Sequence, residues 1–109
     1  MPCLVEVNVS GETQKHGIPL NEVQVLLARA AELPEVEIRG FMTLAPHSDD
    51  FEGIVRPVFR RLRELLQQAN ANRWYSAPLV DLSMGMSRDF EIAVEEGATM
   101  IRVGTALFQ

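Results

Sequence analysis

The sequence predicts an α/β fold in which four parallel strands alternate with three helices, in the order β-α-β-α-β-α-β. Three observations carry this. Residues 3–9, Cys-Leu-Val-Glu-Val-Asn-Val, are β-branched and nearly continuously apolar, as a strand covered on both faces would be. Similar runs recur at 36–44, 79–83 and 99–103. The stretches between them place their apolar residues at helical spacing, which suits crossover connections and not hairpins.

Taken in order, the polar stretch 10–17 follows the first strand, and a helix is expected over 20–33 with Val23, Leu26, Leu27, Ala30 and Ala31 on its inner stripe. Pro34 ends it. The second strand, 36–44, leads into a polar loop over 45–53 that carries His47, Ser48, Asp49 and Asp50. Pro57 suits the first turn of the next helix, where its missing N–H costs nothing, and Val58, Leu62, Leu65, Leu66 and Ala69 supply the inner face. That helix fades at 70–72. After the strand at 79–83, a third helix is expected over 88–96 with Phe90, Ala93 and Val94 inward and Gly97 as its stop.

With 109 residues, 47% of them hydrophobic, the chain suffices for one core and not for two domains. A net charge of −5, with nine arginines, one lysine and no basic run, argues against a nucleic-acid or acidic-membrane surface. A single cysteine, Cys3, excludes an internal disulfide and fits a reducing compartment, where it reads as a small buried strand residue. No apolar stretch reaches membrane-spanning length and the amino terminus lacks a signal-peptide layout, so a cytoplasmic address is expected. Neither His16 nor His47 has metal-like spacing with other ligand residues.

The chemistry concentrates at Leu82-Ser83-Met84-Gly85-Met86-Ser87-Arg88-Asp89 and its echo Ile101-Arg102-Val103-Gly104-Thr105. Each ends an apolar run in glycine and hydroxyl residues, a composition that exposes backbone N–H groups and lets an anion approach them. Ser87 is a candidate helix cap. Adjacent strand ends of this kind suit a phosphate. Plain turn and cap roles would account for Ser83 and Ser87 as well, and Met84 and Met86 suit packing. Arg102 on an apolar strand needs an anionic partner, either a ligand or a carboxylate such as Asp81. Glu6 and Asp81 together admit a paired-carboxylate reading, but neither is beside a nucleophile in sequence.

Four stretches, LVEVNVSGETQKHG at 4–17, RGFMTLAPHSDD at 39–50, LSMGMSRD at 82–89 and IRVGTALF at 101–108, resemble successive signatures of the YggS/PROSC-type pyridoxal 5′-phosphate homeostasis proteins. Members of that family are single-domain barrels similar to the amino-terminal domain of alanine racemase, and they hold the cofactor through a lysine at the end of the first strand. The resemblance covers the second half of such a (β/α)8, or TIM, barrel, strands five to eight. A complete barrel takes about 250 residues, so residues 1–109 are expected to form one half-barrel unit. Carried over position by position, the resemblance implies phosphate contacts at Ser83, Gly85, Ser87, Gly104 and Thr105. It sets Arg102 close to either the ring nitrogen or the phosphate. A guanidinium at the ring nitrogen keeps that nitrogen unprotonated, a poor electron sink. Asn8, Met42 and His47 are weaker candidates at the same mouth. Lys15 matches a different position from the cofactor-bearing lysine.

The expectation is therefore a module that binds pyridoxal 5′-phosphate, or phosphate, without a covalent bond and without turnover of its own. The alternatives are a racemase-like enzyme fragment, which would need the absent lysine, and an inactive truncated product. A buried-type strand at 3–9 with an open edge also implies a homo-oligomer formed through that edge.

Overall fold

The computed structural model describes residues 2–10 and 17–102, the last of these through its backbone. Its centre is a five-stranded, wholly parallel sheet of order β2-β1-β3-β4-β5, with β1 at Pro2–Asn8, β2 at Ile18–Pro19, β3 at Glu37–Met42, β4 at Asp81–Met86 and β5 at Met100–Arg102. The four expected strands are present. The two-residue β2 is an addition, formed where a turn was expected to run on into a helix, and it pairs only with Val7 and Asn8 of β1. Among the described residues, the outer edge of β1 is thus covered only at its carboxyl end.

Strands β1, β3, β4 and β5 lie side by side in chain order. Right-handed crossovers in an unreversed order put every helix on one face of the sheet, as in a barrel and unlike a doubly wound sheet. Helix α1, Val23–Ala30, follows a 3-10 turn at Leu20–Glu22; α2 spans Arg56–Ala71 and packs on β3 and β4; α3, Phe90–Glu95, packs on β4 and β5. Beneath them Val5, Val7, Phe41, Leu82 and Met84 are buried with Leu27, Phe59, Leu62 and Ala93. The alternate strand residues form the opposite face. Ladder register sets Leu4, Gly40 and Asp81 in one row and Glu6, Met42, Ser83 and Met100 in the next. No described helix lies over this face, and its side chains are half-exposed or exposed among the described residues.

Several expectations shift, each for a local reason. Pro57 falls in the first turn of α2 as expected, but a π turn at Phe51–Val55 precedes that helix and takes up the end of the expected loop. The Asp50 carboxylate caps the π turn by accepting the Gly53 N–H at 2.9 Å, and the wider turn makes room for a proline ring that an α-helical start further inside would reject. Helix α1 stops at Ala30, leaving Ala31 exposed, and the inner stripe reduces to Val23, Leu27 and Ala30 with Leu26 half-buried. Val94, expected to face inward, is 55% exposed, because α3 is short and no described element covers its outer side. Cys3 is half-exposed at the bare edge and not buried. Gly97 does end α3, with φ near 103°.

Candidate functional site

The carboxyl ends of β1, β3, β4 and β5 converge on one rim, where ligands bind in parallel α/β folds. Thr43 ties this rim together. It is buried, its Oγ1 donates to the Val7 carbonyl at 2.7 Å, and its N–H donates to the Ser83 carbonyl at 3.1 Å, so one residue past β3 holds both neighbouring strands. Sequence reading passed over it as part of a strand.

The LSMGMSRD stretch folds differently from the open turn expected. Strand β4 runs on through Met86, so Ser83 and Gly85 are strand residues. Gly85 is buried at φ 102°, and a Cβ there would meet the Ala93 Cβ at 2.6 Å and the Phe90 Cα at 3.3 Å. Its lack of a side chain therefore lets α3 lie close on β4. The turn itself closes reciprocally: the Met86 N–H donates to the Asp89 carboxylate at 2.7 Å, and the Asp89 N–H donates to the Met86 carbonyl at 3.0 Å. The helix cap falls at Asp89, with α3 starting at Phe90, so Ser87 is an exposed turn residue and not the cap. Arg88 straps the turn to the loop after β3, donating to the Ser48 carbonyl at 3.1 Å and to Asp49 at 3.0 Å while its guanidinium lies 5.8 Å over the Phe51 ring. His47 is exposed on that loop.

The expected contacts stand at different depths. Ser83 sits in the row of Glu6, Met42 and Met100, whereas Ser87 lies in the turn beyond the end of β4. Arg102 is paired in register with Met86, level with the rim. Gly104, Thr105 and Lys15 lie outside the described residues. Asp81 receives the Arg39 Nε at 3.3 Å and the Thr99 hydroxyl at 3.4 Å. Glu6 and Asp81 stand in different rows with β3 between them, roughly 10 Å apart across the sheet, which rules out a shared-proton carboxylate pair. Among the described residues no cluster of His, Cys, Asp or Glu could hold a metal ion.

Behind the rim, α3 is fixed from outside by an ion cluster that sequence reading missed. Glu96, with a side chain 5% exposed, forms ion pairs with Arg56 at 2.9 Å, Arg60 at 3.2 Å and Arg63 at 3.1 Å. The three arginines stand at helical spacing along α2, which was the available signal. Hydrogen bonds from Arg60 and Arg56, led by that of Arg60, hold the Glu96 carboxyl below the usual carboxylate range against the burial that pushes it up. The guanidiniums of Arg56 and Arg60 are raised in turn.

Among the described residues there is no lysine; Lys15 lies outside them. What the rim offers an anion is the exposed Ser87 turn, the backbone level of Arg102, and a half-exposed Ser83 one row below.

A parallel sheet with its described helices on one face defines a unit of the barrel class. The whole chain, residues 1–109, matches the alanine racemase, N-terminal domain family, and it belongs to that family. A curated relative, the pyridoxal phosphate homeostasis protein of Aquifex aeolicus, is 49% identical over 105 residues, which is 96% of this chain and 45% of the relative. The solved structure of PipY from Synechococcus elongatus superposes with a TM-score of 0.87 without pyridoxal phosphate, at 32% identity, and 0.77 with it bound, at 35% identity. Both matches span 99% of this chain and 49% of PipY. Alanine racemase from Corynebacterium glutamicum, at TM-score 0.69 and 16% identity, shares the fold. The chain thus spans about half the length of the relatives it matches.

Proposed function

We propose that this chain is a pyridoxal 5′-phosphate-binding module of the homeostasis type, equivalent to strands five to eight of its relatives' barrel, that holds the cofactor or inorganic phosphate without a covalent bond. The observation that carries this reading is the meeting of the LSMGMSRD turn with the register level of Arg102 at one rim, in a chain that superposes on a protein solved with pyridoxal phosphate bound. Ser87, Gly104 and Thr105 hold the phosphate in this assignment. Ser83 faces the inner end of the ligand, and Gly85 serves by fixing α3 beside the turn. Arg102 meets the ring nitrogen or the phosphate. Bound in this way, the cofactor supplies an electron-withdrawing ring, but without a lysine at the position that carries the cofactor in the family the module carries out no racemization of its own. A cytoplasmic protein without nucleic-acid partners is the setting this reading assumes, and among the described residues no helix is long and apolar enough to cross a membrane.

The test is chemical. Incubation with pyridoxal phosphate followed by borohydride and peptide mass mapping is expected to leave no specific adduct, while unlabelled phosphate competes for the bound cofactor in equilibrium dialysis. A stoichiometric adduct on Lys15 refutes the non-covalent assignment. Retention that phosphate does not displace refutes the phosphate site.

A further inference from the structure

The paired register of β3 and β4 ends at Met42 and Ser83, and past it a side chain joins the loops that follow the two strands. Arg88, the neighbour of Ser87, donates from Nη2 to the Ser48 carbonyl at 3.1 Å and to the Asp49 carboxylate at 3.0 Å, while its guanidinium lies 5.8 Å over the Phe51 ring. The far anchor is itself fixed. The Asp50 N–H donates to the Ser48 hydroxyl at 3.0 Å, the Asp50 carboxylate accepts the Gly53 N–H at 2.9 Å, and Phe51 opens the π turn that leads into α2. On the near side the turn is closed at its base by Met86 and Asp89, and its tip, Ser87 and Arg88, is exposed. An exposed ion pair adds little to global stability, but a guanidinium held at two acceptors and a ring face has one orientation. The strap therefore acts locally, on the tip of the turn.

We propose that Arg88 is a positioning residue for anion binding at this rim: strapped to Ser48, Asp49 and Phe51, it presets the Ser87 turn to receive a phosphate and does not itself bind it. The proposal rests on the reading of the rim as a phosphate site. A turn ordered before the ligand arrives loses less freedom on binding, so the strap raises affinity by restricting the free protein. Asp49 gives the idea a sign. Its side chain is 100% exposed, and as a bare negative charge beside an anion site it lowers affinity. As the anchor of the strap it raises affinity. Removing it thus has opposite effects under the two roles.

Calorimetric titration of pyridoxal 5′-phosphate into the wild-type chain, Arg88→Ala, Asp49→Ala and the double variant tests this, with amide exchange over residues 86–89 followed in the ligand-free proteins. Asp49→Ala is expected to weaken binding about twofold despite the lost negative charge, and Arg88→Ala about three- to tenfold, the range for one or two side chains that must then be ordered on binding. The double variant is expected to bind no more weakly than Arg88→Ala, since the two residues act as one joint. The Met86 and Asp89 amides are expected to exchange faster in both single variants at the wild-type Tm. Tighter binding by Asp49→Ala, undiminished binding by Arg88→Ala, additive losses in the double variant or unchanged exchange at the turn each overturn the strap and leave the phosphate reading standing. A wild type that takes up neither pyridoxal phosphate nor inorganic phosphate refutes that reading, and the proposal falls with it.

Discussion

Replacing Glu96 with Gln probes what holds α3 against the barrel wall. The carboxylate receives at least one nitrogen from each of Arg56, Arg60 and Arg63, at 2.9, 3.2 and 3.1 Å, and is itself nearly inaccessible. Glutamine keeps one acceptor oxygen and turns an amide donor toward guanidinium donors. Charge-assisted hydrogen bonds contribute about 1.5–3 kcal/mol each, and a fully buried ion pair broken on one side costs about 3–5 kcal/mol. The arginines here reach water, with side chains 20–52% exposed, and rehydrate when released. The expected loss is therefore near the lower figure, about 2 kcal/mol, or roughly 8–16 °C in Tm for a domain of this size. Because the carboxyl is held below its ordinary value, its contribution is complete above the unfolded pKa of about 4.3 and fades as pH falls through the lower folded value. Urea melts of both proteins from pH 7 to pH 3 are expected to show a gap that is constant at neutral pH and narrows below about pH 4. A gap under about 0.5 kcal/mol, the scale of a surface pair, or one that does not narrow in acid, refutes the reasoning.

Three further changes test other joints. Arg73 ends α2 in the left-handed region at φ 53°, with Trp74 N–H to the Ala69 carbonyl and Arg73 N–H to the Asn70 carbonyl, the pair of bonds that usually accompanies glycine. Arg73→Gly is expected to raise the urea midpoint by the equivalent of about 0.5–1 kcal/mol; an unchanged or lowered midpoint contradicts this. Gly85→Ala forces a methyl against Ala93 at positive φ, and a loss of about 2–4 kcal/mol is expected in thermal melts; a loss below 1 kcal/mol would mean that α3 shifts freely. Thr43→Val removes the bond to Val7 and strands its carbonyl, for an expected loss of about 1–2 kcal/mol and faster amide exchange at the ends of β1 and β3; unchanged exchange would refute its role as a tie.

The strands and the burial of α2 were legible because apolar periodicity is imposed by the core, as Leu62, Leu65 and Ala69 show. What local pattern could not supply was set by longer-range geometry. Nothing in Gly-Ile-Pro announces β2, which exists only because Val7 and Asn8 offer an edge. The glycine of LSMGMS reads as room for an anion until Ala93, eight residues on, is seen to occupy that room. Glu96 looked like one more helix-end carboxylate because its three partners are 33 to 40 residues away in sequence. Motif order supplied the family. The same motifs did not foretell that Ser83 and Ser87 lie at different depths, since that depends on how far β4 runs before it turns.

In the proposed assignment the rim holds a phosphate-bearing cofactor non-covalently with Arg102 against it. Its most direct test is calorimetric titration of pyridoxal 5′-phosphate into the wild-type chain and into Arg102→Gln, with thermal stability measured on both. The expected result is saturable binding by the wild type and a loss of about 1.5–3 kcal/mol in the variant, the range for a charge-assisted bond, at unchanged Tm. Equal affinity in both proteins with a lowered Tm in the variant would make Arg102 a structural residue and contradict the site.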